Sequence, residues 1–173
     1  VFYLSLIQCP RLPLPYAGDC RRGHCIYNRS FKQKFPMAQL SDYTYCLKFK
    51  VRDYEVDSQG IVNNANYLHY LEHTRHMCCE DNGLSFRAMS ENGLVPVVRK
   101  IEIEYLHSLG LADKFVSCVN LHRHGARFIF EQHIYRLPDM LPVVKADVTI
   151  VCMANGRLTR GDELAEAFKS IIS

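Results

Sequence analysis

The chain has 173 residues, of which 48% are hydrophobic and 23% charged, and its formal net charge is +3. This length suffices for one domain with a sizeable core, and the composition is ordinary for a globular protein. The small net charge and the lack of an RNA- or DNA-binding pattern argue against a nucleic-acid partner. No apolar run approaches the roughly 18 residues that a membrane span requires, so no membrane span is predicted.

The first 36 residues differ from the rest of the chain. They are rich in proline and basic residues, contain a single acidic residue, Asp19, and show no helical or strand periodicity. Three interpretations are open: an irregular extension, upstream sequence preceding a true start at Met37, or an organelle transit segment. The scarcity of serine favours the first two. We therefore predict an irregular extension over residues 1–36 and one domain over residues 37–173. The expected location is the cytoplasm, with the plastid as the alternative if the extension is a transit segment.

A strand, an acidic loop and a long helix are predicted in close succession after this extension. Apolar and polar residues alternate from Tyr45 to Arg52 with the period of two that is typical of a strand. The alternation breaks at Asp57 and Gly60. A stripe at spacings of three and four then indicates a helix, and its members are Tyr67, Tyr70, Leu71, Thr74, Met77 and Cys78.

This order puts the Asp57 carboxylate just ahead of a helix N-terminus. Backbone N–H groups in the first turn of a helix lack intrahelical partners and point outward. They can stabilise a developing negative charge, while a nearby carboxylate can act as a base or a nucleophile. Together these groups are the minimum equipment for acyl-transfer chemistry.

The second half of the chain predicts an antiparallel sheet. A short helical segment from Ser85 to Gly93 is followed by four stretches with strand periodicity, at residues 101–105, 115–121, 128–137 and 143–153. The short turns between these stretches favour an antiparallel meander. A final helix is predicted with Asp162 as its cap, and the members of its apolar stripe are Leu164, Phe168 and Ile171.

The predicted fold class is α+β, with one long helix wrapped by a curved antiparallel sheet. The apolar stripe of the helix must be buried, and the sheet is the available surface. One such domain leaves sheet edges open, which predicts edge pairing into a dimer.

The run VRDYEVDSQGIVNNANYL at residues 51–68, with HTRH at residues 73–76, resembles the signature of hotdog-fold thioesterases of the 4-hydroxybenzoyl-CoA thioesterase type. It is most similar to the plant and bacterial acyl-acyl-carrier-protein and acyl-CoA thioesterases. The segments LVPVVRKIEIEYLHSLGLADKF and ARFIFEQHIYRLPD fit the same family. The resemblance implies a hotdog fold and a homodimer or homotetramer with active sites at the dimer interface. It also implies a reaction that requires no metal and no redox cofactor.

The resemblance assigns roles to residues of the acidic loop and the helix start. Asp57 matches the catalytic carboxylate, acting as base or nucleophile, and the Asn64 N–H matches the group that polarises the thioester carbonyl. Gly60 supplies backbone freedom or a close approach for the substrate, and asparagine at residue 63 is a favoured N-cap. The substrate-binding candidates are Gly60, Asn63, Asn66, Tyr67, Arg123 and Arg127.

Neighbouring charged residues have competing interpretations. Asp53 and Glu55 are expected to face solvent or to pair with Arg52. The polar helix face is interpreted as a solvated or interface face, with metal binding as an alternative and with Glu72 or His73 as a possible auxiliary acid or base. Its members are His69, Glu72, His73, His76 and Glu80. A set of basic residues either binds pantetheine or nucleotide phosphates, attracts an acidic carrier protein, or forms an ordinary basic hairpin. This set contains Arg99, Lys100, Arg123, His124 and Arg127.

The chain contains eight cysteines, which is a high count, but no CxxC spacing. A zinc site is therefore not expected. We predict buried free thiols in a reducing compartment. A nucleophilic cysteine is not expected, because no cysteine falls in the Asp57 loop.

The predicted reaction is hydrolysis of an acyl-CoA or acyl-carrier-protein thioester to a free acid and a thiol. One alternative is a hotdog dehydratase for hydroxyacyl thioesters, although residues 57–66 lack the histidine that such enzymes pair with the acid. Another is a non-catalytic module that binds acyl thioesters. An aliphatic acyl group is favoured over a hydroxybenzoyl group, because the candidate lining residues are apolar: Tyr67, Leu68, Val95, Val97 and Val98.

Overall fold

The computed structural model describes residues 40–172, and the predicted extension over residues 1–36 lies outside this range. The helices within it are α1 (Asn64–Asp81), α2 (Phe86–Glu91) and α3 (Asp162–Ala167), with 3₁₀ turns at Leu40–Asp42 and Asp53–Glu55. The strands are β1 (Tyr45–Lys50), β2 (Leu94–Tyr105), β3 (Lys114–His124), β4 (Arg127–Leu137), β5 (Leu141–Ala154) and β6 (Arg157–Leu158). None of the helices in the described range is long and apolar enough to cross a membrane.

The strands form one antiparallel sheet in the order β1-β3-β4-β5-β2, and β6 pairs with the end of β5. The predicted meander is confirmed for β3, β4 and β5, which are neighbours both in sequence and in the sheet. The two helices after β1 carry the chain across one face of the sheet, so β2 pairs with the far side of β5. Consequently β1 and β2 are the long edge strands.

Helix α1 packs on the inner face of the sheet with the stripe that its periodicity predicts. Five of the six stripe residues are buried, and Met77 is half-buried. Leu71 is fully buried in a cluster with Phe115 of β3 and Val144 of β5. The polar face is exposed, as expected, at each of its five positions.

Buried polar side chains also join α1 to the sheet. Thr74 Oγ1 donates to Ser117 Oγ of β3 at 2.9 Å. Arg75 is only 7% exposed, and its guanidinium donates to Gln132 Oε1 of β4 at 2.8 Å. Gln132 in turn donates to the Leu71 carbonyl at 3.0 Å. Because Thr74, Arg75, Ser117 and Gln132 each have a hydrogen-bond partner, these bonds help to fix the position of α1 on the sheet.

The final helix differs from its prediction at the N-terminus. The cap is Gly161, with a φ of 73°, and Asp162 is the first helical residue; the assignment of Asp162 as the cap is therefore wrong. The Asp162 carboxylate instead pairs with the Arg123 guanidinium. Glycine is required at residue 161, because an added Cβ would lie 2.8 Å from Phe128 Cε2. The predicted apolar stripe is confirmed, since Leu164, Phe168 and Ile171 are all buried.

The edge strand β2 begins earlier than its periodicity predicts. The strand extends over twelve residues, including Leu94 to Lys100, where alternation is lacking. A register shift between Val98 and Lys100 interrupts its pairing with β5, which explains why the apolar residues change phase. Within one copy of the chain, this strand leaves several large apolar side chains exposed: Val95, Val97, Val98, Ile101 and Tyr105.

Candidate active site

The acidic loop folds as a short antiparallel hairpin that leads directly into α1. The Asn63 N–H donates to the Glu55 carbonyl at 3.0 Å, and the Asp57 N–H donates to the Ile61 carbonyl at 2.9 Å. Val56 and Val62 form an isolated β-bridge between these two bonds. Asp57 therefore lies across the hairpin from Ile61, beside the chain that enters the helix.

The hairpin turn positions the Asp57 side chain. The Gly60 N–H donates to the Asp57 carbonyl at 2.9 Å, and the Gln59 N–H donates to Asp57 Oδ1 at 2.8 Å. Gly60 has a φ of 74°, a left-handed conformation that glycine adopts without strain. No atom lies within 4 Å of a Cβ built at Gly60, so its backbone conformation, rather than lack of space, favours glycine here. Asp57 itself is half-buried, which leaves its carboxylate reachable.

The N-terminus of α1 is capped as the sequence predicts. Asn63 has an extended backbone, and its Oδ1 accepts the Ala65 N–H at 3.0 Å. Asn64 is the first helical residue, so its N–H has no intrahelical acceptor. Asn64 is exposed, and its carbonyl accepts a hydrogen bond from the Tyr105 hydroxyl at the end of β2. The cap and Tyr105 hold the helix start from two sides.

The second strand of the hairpin is fixed to the segment between β2 and β3. The Val62 N–H donates to the Leu109 carbonyl at 2.9 Å, and Ile61 forms a β-bridge with Gly110. The Leu109 N–H in turn donates to the Tyr67 hydroxyl at 3.1 Å. Tyr67 is 3% exposed, and this burial raises the pKa of its hydroxyl to about 12. Tyr67, predicted to bind substrate, thus contacts the loop that supports the hairpin.

Of the two expectations for Glu55, exposure to solvent is wrong, whereas a contact with Arg52 is found, through the Arg52 backbone. The Glu55 side chain is 7% exposed, and its carboxylate accepts the Arg52 backbone N–H at 2.7 Å. Asp53, by contrast, is exposed as expected. The Glu55 carbonyl also accepts a hydrogen bond from the Asn66 side chain at 2.7 Å. Asn66, predicted to bind substrate, therefore ties the first strand of the hairpin to the first turn of α1.

A groove of about 810 Å³ runs between β1 and α1 beside the first strand of the hairpin. Its lining residues include Phe49, Arg52, Glu55, His69, Tyr70 and His73. Burial and the neighbouring Glu55 raise the pKa of the Tyr70 hydroxyl above its ordinary value. The lining contains neither Asp57 nor Asn64, so the groove is distinct from the hairpin turn. Residues 40–172 contain no cluster of three or more His, Cys, Asp and Glu side chains that could hold a metal ion.

The predicted basic residues Arg123 and Arg127 lie at the other end of the strands. Both flank the β3–β4 turn, whereas Asp57 follows the end of β1, which pairs with the beginning of β3. The Arg123 guanidinium pairs with Asp162 and lies over the Phe128 ring at 5.6 Å. Arg127 is exposed. One copy of the chain therefore does not bring these two arginines together with Asp57.

Comparisons with known proteins identify the fold and the family. The sequence model of the Thioesterase-like superfamily matches residues 51–172. The chain belongs to this superfamily. It is 34% identical over 143 residues to the Acyl-acyl carrier protein thioesterase ATL2, chloroplastic, of Arabidopsis thaliana. The alignment covers 78% of this chain and 76% of the relative. It is 35% identical over 107 residues to the Long-chain acyl-CoA thioesterase FadM of Escherichia coli, covering 61% and 80% of the two chains.

A solved structure agrees with this assignment. The crystal structure of YbaW, a probable thioesterase from Escherichia coli, matches with a TM-score of 0.66 and 30% identity, covering 74% of this chain and 98% of that chain. The predicted hotdog fold, the predicted family and the enzyme class of thioester hydrolase are confirmed.

Several residues that shape the site escape sequence reasoning. Tyr105 reads as one more apolar position in an alternating strand, yet it is 42% exposed and bonds Asn64. The sequence around Glu55 predicts an exposed acid, because its burial depends on contacts with α1 that the local sequence does not show. The backbone contacts of Leu109 and Gly110 with the hairpin have no sequence signal other than the glycine itself. The weak sequence signal for Tyr105 is its place at the end of a strand that also carries several valines.

Proposed function

We propose that the chain hydrolyses acyl thioesters with the Asp57 carboxylate and the Asn64 N–H as its catalytic groups. The observation that carries this proposal is the hairpin, which holds Asp57 across from Ile61 and ends at the cap of α1. We infer that the reachable carboxylate and the helix N–H, which has no intrahelical acceptor, lie close enough to act on one substrate. A thioester carbonyl placed there has its oxygen beside the N–H and its carbon beside the carboxylate.

Two routes are compatible with this arrangement. Asp57 attacks the carbonyl carbon, the thiolate leaves, and water hydrolyses the resulting acyl-aspartyl anhydride. Alternatively, Asp57 accepts a proton from a water molecule as that water attacks the carbonyl carbon, and the C–S bond then breaks as the thiolate leaves and takes up the proton. In both routes the Asn64 N–H stabilises the negative charge on the carbonyl oxygen. The dehydratase alternative has less support, because the turn from Asp57 to Asn66 contains no histidine.

We also propose that the working unit contains a second copy of the chain, paired through β2. The free edge of β2 carries apolar side chains that are 39–46% exposed, among them Val95, Val98 and Tyr105. An exposed apolar edge strand favours pairing with another strand. In an antiparallel pair of β2 strands, the beginning of one strand lies beside the end of the other. The partner would then cover Tyr105, which bonds Asn64.

This dimer would bring Arg127 of one copy towards the Asp57 hairpin of the other, which does not happen within a single copy. Val97 of β2 pairs with Val151 of β5, and Val151 pairs with Arg127 on the other side. Arg127 thus lies in the same sheet row as the beginning of β2. Antiparallel pairing brings that end of the partner towards the Asp57 hairpin, where a guanidinium can bind the phosphate of a phosphopantetheine arm.

The proposed substrate class is an aliphatic acyl thioester of a phosphopantetheine thiol. The names of the Arabidopsis and Escherichia coli relatives place acyl-carrier-protein and long-chain acyl-CoA substrates within the family. Leu68 of α1, which is exposed in one copy, and Val97, which antiparallel pairing would bring from the partner's β2, suit an aliphatic chain. Hydrolysis rates with acyl-CoA and with acyl-carrier protein of the same chain length would decide between the two carriers. The word chloroplastic in the name of the Arabidopsis relative favours the plastid alternative for the location.

The test of the catalytic proposal is the Asp57→Asn variant with Asp53→Asn as its matched control. Asp53 belongs to the same segment but is exposed. Loss of a general base typically reduces turnover by roughly 10²-fold or more. We expect this loss in Asp57→Asn, with folding retained, and near-normal turnover in Asp53→Asn. Near-normal turnover of Asp57→Asn would refute the assignment, and Glu72→Gln would then test whether Glu72 on α1, introduced above as an auxiliary acid or base, is instead the catalytic carboxylate.

A further inference from the structure

Two cysteines lie side by side on adjacent strands, on the face of the sheet away from α1. Cys46 of β1 and Cys118 of β3 are direct cross-strand partners. The adjacent residue Ser117 bonds Thr74 of α1, so Cys118 points to the opposite face. There Cys118 packs in a small apolar cluster with Val116 and Tyr135. The pair lies outside the hairpin and helix start to which hydrolysis is attributed.

The register of the two strands puts the Cα atoms of Cys46 and Cys118 within the range that a disulfide spans. The Val51 N–H donates to the Asp113 carbonyl at 2.9 Å, so this pair is hydrogen-bonded. Hydrogen-bonded and non-hydrogen-bonded pairs alternate along an antiparallel ladder. Cys46 lies five positions before Val51 in an uninterrupted register, which makes Cys46–Cys118 a non-hydrogen-bonded pair. Such pairs have Cα atoms about 4.5 Å apart, within the range of about 4.4–6.8 Å that disulfides span.

The two thiols differ in accessibility and in acidity. Cys46 is half-buried and lies on an edge strand, whereas Cys118 is fully buried. A hydrogen bond from Cys118 lowers the pKa of the Cys46 thiol below its ordinary value. The same contact and burial raise the pKa of Cys118. Cys46 is therefore the more accessible and the more acidic of the two thiols, and Cys118 is the thiol held beside it.

We propose that Cys46 and Cys118 are a modification site, at which a hydroperoxide converts the two thiols into a reversible disulfide. The Cys46 thiolate attacks the terminal oxygen of the hydroperoxide, the O–O bond breaks, and the alkoxide leaves as an alcohol after taking up a proton. Cys46 is thereby oxidised to a sulfenic acid. The Cys118 sulfur then attacks the Cys46 sulfur, and the hydroxyl of the sulfenic acid leaves with the Cys118 proton as water. A dithiol returns both cysteines to thiols by disulfide exchange.

The other cysteines of the described range lack this geometry. Cys78 and Cys79 are adjacent residues of α1, and both are buried. Burial raises the pKa of the Cys78 thiol to about 11. Burial and the neighbouring Cys78 raise the pKa of the Cys79 thiol to about 12. Cys152 is buried on β5, where its partner on β2 is Pro96. Oxidation within residues 40–172 should therefore be selective for the cross-strand pair.

The cross-link would pin the edge strand β1 to the rest of the sheet. It would close a loop from residue 46 to residue 118, and long loops gain most from closure. For a chain of this size we expect the disulfide to raise the melting temperature by roughly 5 °C or more. Neither thiol belongs to the groups proposed for hydrolysis, so the Cys46→Ser variant should retain normal turnover.

Peptide mapping of the full chain tests the proposal directly. The protein is treated with hydrogen peroxide at a few equivalents, alkylated, digested with trypsin and analysed by mass spectrometry without reduction. Trypsin separates residues 35–48, which contain Cys46, from residues 115–123, which contain Cys118. We expect these two peptides to be joined, and dithiothreitol to release them. Alkylation of both cysteines, with no joined peptide after oxidation, would overturn the proposal.

Three variants check the assigned order and the selectivity. Cys118→Ala should leave Cys46 as a sulfenic acid that dimedone labels. Cys46→Ser should abolish both the joined peptide and the rise in melting temperature. Cys152→Ala, which removes a strand cysteine whose cross-strand partner is Pro96, should leave both unchanged. Dimedone labelling of Cys118 in the Cys46→Ser variant, at the rate seen for Cys46, would contradict the assignment of Cys46 as the attacking thiol.

Discussion

Removal of the α1 cap tests whether the direction of the Asn64 N–H matters for catalysis. Asn63 is exposed, and its Oδ1 accepts the Ala65 N–H at 3.0 Å. The Asn63→Ala variant removes this bond, and loss of an N-cap costs about 1 kcal/mol of the free energy of unfolding, in a range of about 0.5–2 kcal/mol. For a chain of this size, about 1 kcal/mol lowers the melting temperature by roughly 2–4 °C. The variant should therefore remain folded at 25 °C.

The effect on turnover should exceed the effect on stability. Complete loss of one oxyanion donor typically reduces kcat by roughly 10²–10³-fold. Asn63→Ala keeps the Asn64 N–H but loosens the turn that directs it, and Tyr105 still holds the Asn64 carbonyl. We expect a fall in kcat of about 10-fold, with a smaller change in KM, because the donor acts mainly on the transition state.

A second helix cap in the same chain provides the control. Ser85 caps α2 and accepts the Ala88 N–H at 3.2 Å. Ser85→Ala should lower the melting temperature by a similar amount and leave kcat unchanged, whereas Asn63→Ser should restore both quantities. Steady-state hydrolysis of an acyl-CoA and thermal unfolding by circular dichroism measure the two effects. Equal kcat values for Asn63→Ala and Ser85→Ala would refute the role of the cap in directing the oxyanion donor.

Four further outcomes are expected. Tyr105→Phe should lower kcat several-fold with little change in stability, because it removes the hydroxyl that donates to the Asn64 carbonyl; an unchanged kcat would contradict this role. Val98→Asp should shift the protein to a monomer in sedimentation at micromolar concentration, because it puts a charge on the free edge of β2. Leu71→Ala, at a fully buried position, should cost about 2–5 kcal/mol in denaturant unfolding. A protein beginning at Met37 should match the full chain in melting temperature and activity, and loss of folding would show that residues 1–36 pack on the domain.

The parts of the site that the sequence predicts are those that depend on local chain geometry. Asp57 and Asn64 are seven residues apart, so a turn at Gly60 and a cap at Asn63 suffice to bring a carboxylate beside a helix start. The apolar stripe of α1 and the strand periodicities likewise depend on repeats of three to four residues and of two. Helix α1 and strands β3, β4 and β5 are found where the sequence indicates them, whereas β2 begins before its predicted start at residue 101.

The parts that escape prediction depend on long-range contacts. Burial of Glu55 results from the packing of the hairpin against α1, and the bond from Tyr105 to Asn64 joins residues 41 positions apart. The separation of Arg123 from Asp57 follows from the strand register, which puts them at opposite ends of β3. The sequence names both as site residues but does not show which strand ends meet. Asp162 is misassigned as a cap because glycine at residue 161 carries no side-chain signal for that role.

Strand β2 connects the proposed dimer to the proposed oxyanion site. One end of this strand supplies the exposed valines, and the other ends at Tyr105, which bonds the first residue of α1. A partner strand on the free edge would restrict the motion of Tyr105 and exclude water from the Asn64 region, and both effects strengthen a hydrogen bond to a developing charge. Dissociation should therefore reduce turnover per chain, whereas Tyr105→Phe should reduce it without dissociation. Activity of Val98→Asp that rises with protein concentration, alongside activity of Tyr105→Phe that does not, would separate the contribution of the partner from that of the hydroxyl.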